Sequence, residues 1–138
     1  MDTVEMRREL IRDEGLRTKP YKCTAGRLTI GIGRNLDDKG ISREEAMILL
    51  DHDIRECYTD LEFIFPDQFH KWPEELQRAL INMRFQLGYG GFRSFEKMLE
   101  ALRAEDREVA AVEAIDSKWA QRDTPERAAR VAEMIRRE

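Results

Sequence analysis

Arg12-Asp13-Glu14-Gly15-Leu16-Arg17, then Tyr21-Lys22-Cys23-Thr24, then Leu28-Thr29-Ile30-Gly31-Ile32-Gly33-Arg34: across this stretch the chain changes its period. Upstream, Met6, Leu10 and Ile11 share one helical face, Asp2 stands at a capping position with Glu5 three residues on, and Gly15 is a stop signal. Downstream, Tyr21, Thr24, Leu28, Thr29, Ile30 and Ile32 are strand formers, and Ala25-Gly26 is a turn dipeptide. The pattern predicts a helix feeding a small antiparallel sheet. Gly31 and Gly33, set among strand formers, point to something that approaches the backbone closely.

Glu14, Cys23 and Thr29 stand in this stretch with eight and five residues between them. A carboxylic acid at a helix end can face two small polar side chains on the following ribbon. That arrangement suits general acid catalysis on one side of a bond, with water held on the other. To act as an acid, Glu14 must keep its proton near neutral pH, which calls for partial burial. Its place at a helix C-terminus helps, because the macrodipole disfavours an anion there. Lys22 and Arg27 favour a thiolate at Cys23, and a thiolate serves as base or nucleophile. A hairpin cysteine is equally at home as a small buried hydrophobe. Thr29 has strand propensity as its plain explanation, and a hydroxyl that orients water as its functional one.

Asn35 to Gly40 form a polar connection, and Ser42 with Glu45 makes a capping box. The helix it opens runs about twenty residues, on the order of 30 Å, with Ala46, Leu49, Leu50, Ile54, Cys57 and Leu61 as one stripe. An aromatic-rich connection from Phe63 to Trp72 follows, broken by Pro66. Pro73 opens the next helix, with Leu76, Leu80, Met83 and Leu87 inward and Gly88, Gly90 and Gly91 as its end. Ser94 starts a short helix, Asp106 another that reaches about Asp116, and Thr124-Pro125 the last, with Ala128, Val131, Met134 and Ile135 inward. The fold class is α+β and mostly helical.

A chain of 138 residues with 41% hydrophobic side chains buries a core without metal or disulfide. The net charge of −4 is uneven: residues 1–34 carry eight Lys/Arg and five Asp/Glu, the remainder 16 and 23. A polyanionic substrate is favoured near the first segment, while no helix shows the basic stripe of a nucleic-acid binder. Cys23 and Cys57 make no disulfide framework, and His52 and His70 have no metal-ligand spacing with each other or with the cysteines. Gly31-Ile32-Gly33 lacks the third glycine of a dinucleotide loop, and no phosphate loop is present. No cofactor and no metal is implied. The first residues form no leader and no run suits a membrane span, so synthesis in the cytosol without membrane insertion is expected.

The chain resembles the phage-type lysozymes, the T-even endolysin family (glycoside hydrolase family 24). The resemblance is carried by residues 12–17, Tyr21-Lys22 and Thr29 to Gly33, and recurs in three further blocks. These are Ala79 to Met83 with Phe85 to Gly88, Ser117-Lys118-Trp119, and Thr124 to Val131. It implies a two-lobe lysozyme fold, with a small β-sheet lobe and a larger helical lobe joined by a long helix and a cleft between them. On this chain it implies a single domain over 1–138, with a small lobe at about 13–60 and a helical lobe at about 1–12 and 61–138.

The resemblance also implies hydrolysis of the β-1,4 bond between N-acetylmuramic acid and N-acetylglucosamine in peptidoglycan. Glu14 would be the acid, with Cys23 and Thr29 completing the triad. Gln86, Asn82 and Phe85 match saccharide-contact positions. Asp13 and Arg127 match a structural ion pair, and Arg127 also approaches the acid. It implies a monomeric bacteriolytic enzyme, made in the host cytoplasm and acting in the periplasm during host cell lysis, once a holin has opened the membrane.

Two departures stand out. Cys23 replaces the Asp of the T-even enzyme, and a thiol of ordinary pKa, about 8.5, is mostly protonated at neutral pH. Its expected role is to bind and polarise water. Arg34 replaces a His whose acidic partner matches Asp53, so an Arg34–Asp53 ion pair is expected. The competing readings are a catalytically weakened wall-binding relative and a redox switch through a Cys23–Cys57 disulfide.

Overall fold

The computed structural model describes residues 1–137. Helix α1 (Thr3–Glu14) starts where the Asp2 carboxylate accepts from the N–H groups of Val4 at 3.0 Å and Glu5 at 3.1 Å. Two of the four orphan donors of the first turn are thereby satisfied. Glu5 does not return the favour to Asp2; it pairs with Arg8 at 3.2 Å. Gly15, at φ 77°, ends the helix with its N–H on the Ile11 carbonyl.

Strands β1 (Arg17–Lys22), β2 (Leu28–Gly31) and β3 (Arg34–Asn35) form an antiparallel sheet in the order β1-β2-β3. Tyr21 lies opposite Thr29 and Lys22 opposite Leu28, while Arg17 lies opposite Gly31, so β1 bulges between Arg17 and Tyr21. Pro20 falls inside that bulge on an edge strand, where a missing N–H disrupts no ladder. The β1–β2 turn is closed by the Gly26 N–H on the Cys23 carbonyl at 2.8 Å.

Helix α2 (Arg43–Ile64) opens with the expected capping box complete. The Glu45 N–H donates to Ser42 Oγ at 3.1 Å, and the Ser42 N–H to Glu45 Oε1 at 2.8 Å. Of its predicted stripe only the second half is covered: Cys57 and Leu61 are buried, together with Ile64, whereas Ala46, Leu49 and Ile54 are exposed. Helical spacing fixes which residues share a face; what covers that face is set by tertiary neighbours.

The stretch Glu74–Arg93, labelled α3, is two helical segments that meet in a kink at Gly88, so the first segment stops where the glycines of the sequence placed its end. Gly88 alone leaves the helical path, at φ 76° and ψ 171°, and the chain re-enters it through Gly90 and Gly91. Helix α4 (Glu96–Arg103) begins after Phe95, without a side-chain cap; Ser94 Oγ donates back to the Gly91 carbonyl instead. Helix α5 (Arg107–Ile115) is capped by Asp106 on the Val109 N–H, and α6 (Pro125–Arg136) opens with Pro125. Between the two, Trp119–Asp123 is wound as a π-helical turn.

The chain divides into two compact units, Met1–Ile48 and a second that begins at Leu49. α1 and the sheet lie in the first unit, and the division falls within α2. The second unit holds the large apolar core, with Leu61, Phe65, Phe69, Leu80, Met83 and Phe92 among its members. α1 has no buried residue. Among the described residues no helix is long and apolar enough to cross a membrane.

Candidate active site

In the first unit the end of α1 and the β2–β3 turn meet at Glu14. An alanine Cβ built on Gly33 would stand 2.8 Å from Glu14 Oε2, 3.0 Å from its Cδ and 3.1 Å from its Cγ. The carboxylate therefore lies flat on the Gly33 backbone, which is the close approach that the sequence foreshadowed without naming its partner. Gly33 also has φ 64°, in the left-handed region that favours glycine. Glu14 itself is exposed, so the partial burial expected of it is not supplied by the chain alone. Neighbouring Asp13 pairs with Arg12 at 3.2 Å.

Cys23 sits at the mouth of the hairpin turn, half-buried, with its own N–H on the Arg27 carbonyl at 2.9 Å. Its thiol is acidified, chiefly by the Arg27 backbone N–H and then by that of Ala25, against an opposing push from partial burial. The Thr29 hydroxyl adds a smaller pull in the same direction. Peptide dipoles, and not the Lys22 and Arg27 charges expected from the sequence, are what favour the thiolate. Thr29 is 3% exposed and donates to the Arg27 carbonyl at 2.9 Å. It has a single proton, so when that proton is on the carbonyl its lone pairs are left to accept from a water. Cys23 and Thr29 stand two and zero registers from the Tyr21–Thr29 pair, on one face of the ribbon.

Arg34, in β3, finds its carboxylate within the first unit. Its guanidinium is bidentate on Glu45, at 2.7 Å to Oε2 and 2.8 Å to Oε1, and also donates to the Gly40 carbonyl. The same Glu45 oxygen serves the capping box, and Arg34, followed by the Ser42 N–H, pulls the Glu45 pKa down to about 2. Glu45 wins Arg34 because the first turn of α2 already fixes its carboxylate. Asp53 lies 4.0 Å from His52.

In the second unit the expected saccharide residues are largely engaged within the fold. Gln86 accepts from the buried Trp119 indole N–H at 2.9 Å and donates to Thr124 Oγ1 at 3.1 Å, tying α3 to the π-helical turn and to the start of α6. Asn82 accepts from Arg127 Nε at 2.9 Å, and its carbonyl takes Arg127 Nη2 at 3.3 Å. Arg127 is therefore committed to Asn82. Phe85 is 42% exposed and remains available to a ligand.

Three further features carry no sequence expectation. Arg84, 9% exposed, is held by Asp60 at 2.7 Å and Glu56 at 3.3 Å, an ion pair linking α3 to α2. His52, Asp53 and Glu56 bring potential ligand atoms within 4.8 Å of one another, exposed on one helix, with Glu56 already shared with Arg84. A cavity of about 530 Å3 lies under the π-helical turn, floored by the edge-to-face pair Phe95 and Trp119. Both cysteines are free thiols, and Cys57 is buried, with desolvation raising its pKa.

Comparison with known proteins places these features in a family. The pre-baseplate central spike protein Gp5 of Enterobacteria phage T4 is 33% identical over 96% of this chain, which spans 28% of the length of that protein. The probable T4-type lysozyme 2 of Dictyostelium discoideum is 27% identical, with 86% of each chain covered. The phage lysozyme family model matches residues 12–137, from the residue before Asp13 to the end of the last helix. With that match across nearly all of its length, the chain belongs to the phage lysozyme family.

Proposed function

We propose that this chain is a muramidase that cleaves the β-1,4 bond between N-acetylmuramic acid and N-acetylglucosamine in peptidoglycan. The observation that carries the reading is the Glu14 carboxylate, held against the Gly33 backbone at the end of α1, in a unit whose hairpin also presents an acidified Cys23 and a buried Thr29. Glu14 donates its proton to the glycosidic oxygen as the C1–O bond breaks. Water held by Cys23 and Thr29 attacks C1 from the opposite face and gives its proton to the Cys23 thiolate. Exchange with solvent then returns both groups to their starting states. This order of events predicts inversion at the anomeric carbon. The burial that the acid lacks in the free chain is provided by the sugar that covers it.

Phe85 supplies an apolar surface for the saccharide in this reading. Gln86 and Asn82 are contacts of second rank, each holding an amide already anchored on one side. Asp13, Arg34, Asp53 and Arg127 are structural. Access to the wall through a membrane lesion made by a holin belongs to the same proposal. Release of reducing ends from purified peptidoglycan, with Glu14→Gln beside the wild type, is the test. A fall of orders of magnitude in the mutant is expected. No release by either protein, with wall binding retained, would move the reading to a binding relative disabled at Cys23.

A further inference from the structure

We propose that Gly33 is a positioning residue for the acid: its missing Cβ is the space that Glu14 occupies, and any side chain there displaces the carboxylate before it disturbs the fold. This rests on the reading of Glu14 as the acid. Oε2, Cδ and Cγ of Glu14 are the three atoms nearest to a Cβ at this position. Ordinary van der Waals contact begins at 3.4–4 Å, so Oε2, at 2.8 Å, has to retreat by roughly 0.6–1.2 Å. The three nearest atoms all belong to a flexible, exposed side chain and none to backbone, so the retreat is conformationally cheap. The retreat is nevertheless large for chemistry, because a misplacement of about 1 Å at a reacting group costs on the order of 100-fold in rate.

The fold contains its own control two residues away. Gly31 has φ 71°, against 64° at Gly33, but a Cβ there meets nothing within 4 Å. Alanine at either position bears left-handed backbone strain. Only alanine at Gly33 touches Glu14.

The experiment compares Gly31→Ala and Gly33→Ala for kcat, KM and wall binding on purified peptidoglycan, with thermal melting of both. The expected result is a loss of Tm in both variants, a kcat in Gly33→Ala lower by about 100-fold, a largely unchanged affinity for the wall, and a kcat in Gly31→Ala within a few-fold of wild type. Equal kcat values in the two variants overturn the proposal. Should Gly33→Ala fail to fold while Gly31→Ala folds, the side chain disturbs the fold first and the proposal is overturned. Should both fail, Gly31→Asn and Gly33→Asn, whose side chain tolerates the left-handed region, are compared in the same way with the same two outcomes. Glu14→Gln runs in parallel: full activity in that variant refutes the acid itself, an outcome distinct from loss of the positioning role alone.

Discussion

Gln86 is the residue whose two possible roles differ most in what a mutation would do. In Gln86→Met the side chain keeps its length and loses both polar ends. Trp119 is 3% exposed, so its indole N–H, now 2.9 Å from Gln86 Oε1, is left without a partner in an apolar surround. An orphaned buried donor costs about 1–3 kcal/mol, and the lost bond to the half-buried Thr124 hydroxyl adds about 0.5–1 kcal/mol because water can replace it. The total is about 1.5–4 kcal/mol, or a fall in Tm on the order of 10 °C for a domain of this size. Urea unfolding of Gln86→Met and Trp119→Phe, alone and combined, measures it. If the orphaned indole is the cause, the double mutant is less destabilised than the sum of the singles, by about 1–2 kcal/mol. A Gln86→Met protein within about 0.5 kcal/mol of wild type, with KM for peptidoglycan raised severalfold, would refute this reasoning and return Gln86 to direct saccharide contact.

Cys23→Asp retains substantial activity and Cys23→Ala loses most of it. The rate should rise with pH as the base deprotonates, and in Cys23→Asp that rise moves to acid pH, which a pH–rate profile reads directly; activity unchanged in Cys23→Ala sinks the role. Glu45, with its pKa held near 2 by Arg34, contributes stability that is present above the unfolded value of about 4.3 and is lost as pH falls through the folded one. Acid titration of the first unit's unfolding should show that loss between about pH 4 and 2, and Glu45→Gln should abolish the dependence. Asp60→Ala leaves the Arg84 guanidinium buried, whereas Arg84→Met leaves a partly solvated carboxylate. The first should cost about 3 kcal/mol and the second about 1–2 kcal/mol by denaturant unfolding, and the reverse order would contradict the burial argument.

What was legible in the sequence was whatever depends on local chemistry. Asp2, the Ser42–Glu45 box, Asp106 and Thr124-Pro125 each mark a helix start that the structure shares, because caps act within three residues of themselves. The hairpin turn at Ala25-Gly26 was readable for the same reason. Partner choice was not. The Arg34–Glu45 pair went unread, since the sequence had already given the Glu45 carboxylate a role in the capping box. The exposed first half of the α2 stripe was equally hidden, being decided by neighbours and not by spacing, whereas the break at Gly88 was readable because glycine alone takes its backbone angles without strain. Gly33 was flagged as a close approach, yet only coordinates could name Glu14 as what approaches.

Glu45 closes the cap of α2 and receives Arg34 from the end of β3 through one carboxylate. Opening either element therefore releases both, and the connection from residue 36 to residue 42 is tied at both ends to a single knot. Native-state hydrogen exchange should report this as one event: the Ser42 and Glu45 amides exchange at a common free energy of opening with the Leu36 amide, which donates to the Leu28 carbonyl of β2. Severing the knot by Arg34→Gln should split that single opening into two, turning a loop that resists proteases into one that is cut ahead of global unfolding.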